Sequence, residues 1–229
     1  PAMSQKGTQL RAQENRSAWS VGRIQDAVRQ KWQQIRQKVE ALVREGLDAL
    51  LFTFDRGADP EAPYEETLRQ QVCAALRAQF GDSPAQLLMQ TPPEKREQLA
   101  AQIHAVVAQA LGMEASIVGA VPMGGKSGCY AWEMDALLMN AGDLEKQPVT
   151  LTEAKALLDT ILHETFHALQ RRAIVRPSRY GIPKAEAQIW RINFHNYIQP
   201  EQNPERYWLQ PVEVTARVFA AQILNHFYD

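Results

Sequence analysis

Two imidazoles four residues apart, His163 and His167, constrain this chain more than any other feature. On an α-helix, positions i and i+4 lie one turn apart on the same face, so both rings can grip one metal ion. Glu164, about 100° further round the helix, is left to work beside that ion rather than on it. The flanks read as helix. Thr150 and Glu153 have capping-box spacing behind Pro148, the run Ala154-Lys155-Ala156-Leu157-Leu158 favours helix, and apolar residues continue through Ile161, Leu162, Phe166, Ala168 and Leu169. Arg171 and Arg172 then suit the negative end of the helix dipole. The histidines therefore fall midway along a largely buried helix, where a loose polar side chain is costly. A hydrogen-bonded pair of core histidines is the alternative, and it leaves both the spacing and the intervening Glu unexplained.

At 229 residues the chain has ample length to bury a core without disulfide staples. Its net charge of −1 does not make the whole molecule a polyanion binder, so no nucleic-acid partner is expected. No apolar run is long enough to cross a bilayer. Cys73 and Cys129 can pair only if the fold brings them together, and one bridge would not define a redox compartment. The start, Pro1-Ala2-Met3-Ser4, has no signal-like apolar core and reads as a cloning remnant or an excised domain.

The pattern implies a mainly helical α+β fold: a tail or linker over 1–17, then a single domain over 18–229, with a helical part at 18–112 and a sheet and metal-site part at 113–229. Val21, Ile24, Val28, Trp32, Ile35, Val39 and Leu42 recur at the spacing of one long amphipathic helix stopped at Gly46. Its basic residues are broken up by Asp26, Glu40 and Glu45, as on a solvated face. Leu50 to Phe54 is a short strand candidate, followed by a loop from Asp55 to Pro63. Helices are expected from about Glu65 to Phe80, ended by Gly81, and from Pro92-Pro93-Glu94 to Leu111, ended by Gly112. His104, in the second of these, reads as a half-buried structural residue. Between Ser116 and Asn140 short apolar runs broken by glycine predict a small mixed sheet with strands near 116–121, 129–132 and 136–139. Gly124-Gly125-Lys126-Ser127 is a strand connection, because a P-loop would need glycine at Ala120 and a following helix. Cys129 could in principle ligate metal, as in peptide deformylases, but Ser127 stands where their Glu precedes Gly-Cys, so a core or free thiol is the better reading.

His163-Glu164-Thr165-Phe166-His167 is the H-E-x-x-H arrangement of zinc hydrolases. Catalytic zinc normally takes three protein ligands and keeps one open position, so a third ligand must come from downstream. His195 does not fit the metzincin spacing, since Ala168-Leu169-Gln170-Arg171-Arg172 follows His167. A glutamate on a second helix leaves Glu186 and Glu213. Glu186 comes 19 residues after His167, but Ala185 and Trp190 stand where that spacing class carries Asn and Asp. Glu213 follows Pro211, well placed at a first helical position, and Ala216 and Ala220 on its face would let this helix approach the metal helix closely. A glutamate merely favoured by the helix dipole is the plain alternative for Glu213.

Leu138-Met139-Asn140, His163 to Gln170, Asn196-Tyr197-Ile198 and Tyr207 with Gln210 to Ala216 together resemble small gluzincin-like metallopeptidase domains. Such domains occur in bacterial polymorphic toxins and secreted effectors, including C-terminal extensions of type VI secretion spike proteins. The resemblance covers roughly residues 125–229. It implies a zincin-like fold, one Zn(2+) per chain held by His163, His167 and Glu213, and Glu164 as the base that activates a zinc-bound water for peptide hydrolysis. It further implies a protein or peptide substrate, a delivery protein, an immunity protein and action in a target cell, such as its periplasm. Thr215 departs from the Asp often found at that position. Tyr207, His195 and Tyr197 are candidates for stabilising an oxyanion, and the strand ending near Asn140 is a candidate to bind substrate as an added strand. Arg171, Arg172, Arg176, Arg179 and Lys184 read as a solvated loop region. A zinc hydrolase of a non-peptide substrate and a non-catalytic binding module built on the N-terminal helix are the rival readings.

Overall fold

The computed structural model describes residues 63–228, together with Gln37 and Arg44, both helical. Of the expected N-terminal helix over Val21–Leu42 only Gln37 is described, and the strand candidate at Leu50–Phe54 and the tail over 1–17 lie outside the described residues.

Helix α1 (Tyr64–Phe80) ends where Gly81 takes a φ of 75°, a left-handed value that a side chain would resist. After the short α2 (Pro84–Gln90), α3 (Pro93–Ala110) opens on a proline that needs no amide partner there, and Gly112 follows its end at φ 72°. Three strands follow: β1 (Ile117–Val121), β2 (Gly128–Ala131) and β3 (Ala136–Asn140). Next come α4 (Ala141–Glu145) and α5 (Leu151–Ala173), which carries the histidine pair and starts at a complete Thr150/Glu153 capping box. A 3-10 turn (Pro177–Tyr180), α6 (Lys184–His195), α7 (Pro204–Trp208) and α8 (Pro211–Tyr228) complete the described chain. Among the described residues no helix is long and apolar enough to cross a membrane.

The described fold is mainly helical with a small mixed sheet, ordered β1-β3-β2. β1 runs parallel to β3 and β2 antiparallel to it. β3 is therefore central, with both its edges taken. A peptide cannot add to the strand ending at Asn140, and that expectation is corrected: β1 and β2 carry the outer edges. Asn140 instead caps α4, its Oδ1 accepting from the Gly142 amide at 3.2 Å, while its Nδ2 donates to Lys126 O at 2.9 Å and holds the β1–β2 connection.

α5 runs through the centre, packed against α2, α3, α8 and the sheet. Leu157, Leu158, Ile161, Leu162, Phe166, Ala168 and Leu169 on it are buried, and Ala216 and Ala220 on the facing side of α8 are fully so. These two alanines bring the helix axes close, as their spacing from Glu213 predicts. Phe166 stacks on Phe219 with ring centroids 4.5 Å apart and meets the edge of Trp190 at 5.8 Å. Truncating such a ring to Ala costs about 3–5 kcal/mol.

His104 is more deeply placed than a half-buried residue. It is 1 % exposed, accepts the Ser116 amide on Nε2 at 2.9 Å and meets Thr165 Oγ1 through Nδ1 at 2.8 Å. It thus ties α3 to the entry of β1 and to α5. The β2–β3 turn is pinned nearby. Asp135 holds a left-handed φ of 47°, and its carboxylate accepts from Ser116 Oγ at 2.8 Å, Tyr130 OH at 2.7 Å and Arg172 Nη2 at 2.9 Å.

Candidate metal centre

The site lies where the middle of α5 meets the first turn of α8. One turn of α5 places His163 and His167 side by side, with their Nε2 atoms 3.0 Å apart. Pro211 starts α8 so that Glu213, two residues in, faces both rings. Its Oε2 lies 3.4 Å from His163 Nε2 and its Oε1 3.4 Å from His167 Nε2. A tetrahedral zinc with bonds of about 2.0–2.1 Å separates its ligand atoms by about 3.4 Å. The two histidine–carboxylate distances match that spacing, the 3.0 Å between the imidazole nitrogens is shorter, and the donor types are those such an ion takes, so these three residues could hold one. Among the described residues these three form the one His/Cys/Asp/Glu group close enough to share a metal.

The carboxylate is braced from outside the triad. Tyr197 OH donates to Glu213 Oε1 at 2.5 Å, and Arg217 Nη1 approaches Oε2 at 3.4 Å. Burial works to raise the Glu213 pKa, but bonds to His163 and His167, with the Tyr197 phenol, outweigh it and hold the group well below the carboxylate range. Burial works in the other direction on His167, yet Glu213 and the charge of Glu164 leave its pKa raised. Tyr197 is pushed above the ordinary phenol range by burial and then by Glu213, so it stays protonated and donates.

Glu164 stands outside this group. It is 8 % exposed, and its Oε2 accepts the Tyr130 backbone amide of β2 at 2.8 Å. β2 comes this close only because Gly128 has no side chain. A Cβ there would sit 2.6 Å from Thr160 Cγ2, 3.1 Å from Leu138 O and 3.5 Å from Glu164 Cγ.

Most of the other sequence candidates lie elsewhere. Glu186 faces Tyr64 and Glu65 at the start of α1, where burial, then Glu65, raises its pKa. His195 ends α6, exposed. Tyr207, by contrast, borders the site: its ring lies 6.2 Å from that of Tyr197, and burial, then the charge and hydrogen bond of Glu213, push its pKa above the ordinary phenol range. Cys73 and Cys129 are both free thiols, and Gly124 to Ser127 form a turn between β1 and β2. Arg176 and Arg179 are exposed, whereas the Arg171 guanidinium lies over the rings of Phe194 at 3.9 Å and Trp132 at 4.7 Å. That basic stretch is thus only partly a solvated loop, because flat guanidinium and ring faces attract.

Sequence reasoning missed the amide of Tyr130, the close approach at Gly128 and the buried Gln170, whose Oε1 lies 2.7 Å from His167 Nδ1. Only Gln170 left a trace, as a polar residue three positions after His167 on an apolar helix. Comparison with protein-family models, with curated proteins and with solved structures gave no match.

Proposed function

We propose that this chain is a zinc-dependent metallopeptidase of zincin-like fold, an endopeptidase deployed as a secreted bacterial toxin or effector domain. The observation that carries the enzymatic reading is the convergence of His163 Nε2, His167 Nε2 and the Glu213 carboxylate, with a second buried carboxylate, Glu164, beside them but outside the group. A bound zinc ion would supply Lewis acidity at neutral pH. The two imidazoles and Glu213 would hold it. Glu164 is anchored by Oε2 on the Tyr130 amide, which leaves Oε1 to accept a proton from the attacking water and return it to the leaving amine.

β2 rather than β3 would dock the substrate. The Asn140 amide bonds to Ser127 O, so Ser127, Cys129 and Ala131 turn their backbone groups toward β3, while Gly128 and Tyr130 turn theirs outward, on the side of Glu164. The Tyr130 amide is already taken by Glu164, so an extended peptide added there would pair through Gly128 and the Tyr130 carbonyl, beside the metal centre. The toxin reading, with a delivery protein, an immunity protein and a target such as the periplasm, rests on the resemblance of residues 125–229 alone.

The test is peptide hydrolysis by purified protein with zinc, beside Glu164→Gln. Activity should fall at least ~100-fold in the variant, the low end of general-base contributions, while metal content holds. Undiminished hydrolysis would remove Glu164 from the mechanism. Expression in bacteria with and without an export signal tests the toxin reading: growth arrest in one compartment, absent with Glu164→Gln, supports it, and harmless active enzyme in both counts against a bacterial target.

A further inference from the structure

Gln170 is fully buried on α5, three residues beyond His167, and every polar atom of its side chain is engaged. Its Nε2 lies 3.0 Å from Val212 O and 2.7 Å from Thr215 Oγ1, and its Oε1 lies 2.7 Å from His167 Nδ1. The chemistry of these partners fixes the direction of each bond. A backbone carbonyl only accepts, so the carboxamide atom facing Val212 O must be the NH2 group. The other atom is then the oxygen, which also only accepts. His167 Nδ1 must therefore carry a hydrogen and donate it.

Two consequences meet at the metal centre. A neutral imidazole with hydrogen on Nδ1 has its lone pair on Nε2, the nitrogen that faces Glu213 Oε1 at 3.4 Å. The hydrogen-bond chain runs one way only: His167 donates to Gln170, Gln170 to Thr215 Oγ1, and Thr215 to Pro211 O at 2.9 Å. Both donors of Gln170 end on α8, at Val212 and Thr215, the residues on either side of Glu213 in the first turns of that helix. One side chain thus sets the tautomer of a ligand on α5 and the placement of the helix that carries the third ligand.

We propose that Gln170 is the positioning residue of the metal centre, a carboxamide that holds His167 with its Nε2 lone pair toward the ion and in register with Glu213. This rests on the zinc-site reading above. The role predicts more than a buried hydrogen bond: an acceptor at position 170 is required for metal affinity, whereas the donors mainly join the helices.

The experiment combines nitrogen-15 NMR of the metal-free protein, at a pH where His167 is neutral, with zinc affinity by chelator competition. In the unmodified protein His167 should show a protonated Nδ1 and an unprotonated Nε2. A hydrogen found on Nε2 overturns the proposal without any variant. Gln170→Met, of similar volume and without donor or acceptor, should mix the two tautomers and weaken zinc binding ~10–100-fold, the usual loss when a ligand's outer partner is removed. Gln170→Glu gives the acceptor back and should recover most of the affinity. Unchanged tautomer and affinity in Gln170→Met overturn the proposal, as does a folded Gln170→Glu that binds zinc no better than Gln170→Met. Unmodified protein that binds no zinc overturns the zinc-site reading instead, and the NMR result still decides the tautomer.

Discussion

The phenol of Tyr197 donates a 2.5 Å hydrogen bond to Glu213 Oε1, the same oxygen that faces His167 Nε2 at 3.4 Å. Tyr197 comes from the segment after α6, so this bond ties a third stretch of chain to the two helices that form the site. The segment is itself held by Gln210, which accepts the Ile198 amide at 2.8 Å and donates to Ile198 O at 2.9 Å. Removing the hydroxyl with Tyr197→Phe should loosen Glu213, leaving Arg217 and Tyr207 to hold it from outside the triad. Zinc affinity is expected to drop ~10–100-fold with the fold intact. Chelator competition measures the first and circular dichroism the second. An unaltered affinity would reduce the bond to packing.

For the proposed zinc site, the third ligand separates two carboxylates that the sequence leaves open. Glu213 lies within reach of both histidines, while Glu186 is outside that group and interacts with Tyr64 and Glu65. Glu213→Gln keeps the volume and an acceptor for Tyr197 but removes the charge. Its zinc affinity should fall more than ~100-fold, beyond the loss expected for an outer partner. Glu186→Gln should bind as the unmodified protein does. The opposite pattern in elemental analysis would move the ligand.

What could be read from the sequence is what local periodicity and capping encode. The Thr150/Glu153 capping box, the glycines after α1 and α3 and the proline at the start of α8 each act within a few residues, so their elements fall where expected. The i,i+4 pair is local in the same sense. Strand order is not. Nothing in Ala136–Asn140 says that β3 takes the centre, because pairing joins residues far apart, and with that went the wrong choice of docking strand. The Tyr130 amide is invisible to any reading by residue type, since every residue but proline carries one. In the sequence Gly128 is only one of the glycines that break short apolar runs. Its actual constraint is the methyl of Thr160, 32 positions away.

His104 gives the fold an acid-sensitive joint. Burial, helped by the Arg172 charge, lowers its pKa from 6.5 to about 4, so the folded protein holds it neutral. Between those values the unfolded chain binds the proton more readily. Stability therefore rises with pH across that window and is lost as pH falls through it, by about 3 kcal/mol once both states are protonated. His104→Gln should flatten that part of the stability profile. Denaturant titrations of both proteins from pH 4 to 7 check it, and the difference between them isolates His104 from the carboxylates and from His167. Parallel profiles would show that the imidazole does not titrate as the fold opens.

The contact between β2 and α5 can be tested by a clash and its relief. In Gly128→Ala the new Cβ meets Thr160 Cγ2 at 2.6 Å, so the strand or the helix must shift. Overpacking of this kind costs about 1–3 kcal/mol. The functional cost should be larger, because the shift moves the Tyr130 amide away from Glu164 Oε2 and lets Glu164, the proposed base, turn away. Zinc content should hold, since the atoms nearest the new Cβ belong to Thr160, Leu138 and Glu164 and not to His163, His167 or Glu213. Thr160→Ser removes the offending methyl, so the double variant Gly128→Ala, Thr160→Ser should regain part of the lost stability and hydrolysis, short of full recovery because Leu138 O still lies 3.1 Å from the Cβ. If Gly128→Ala hydrolyses peptide as fast as the unmodified protein, the amide of β2 does not hold the base.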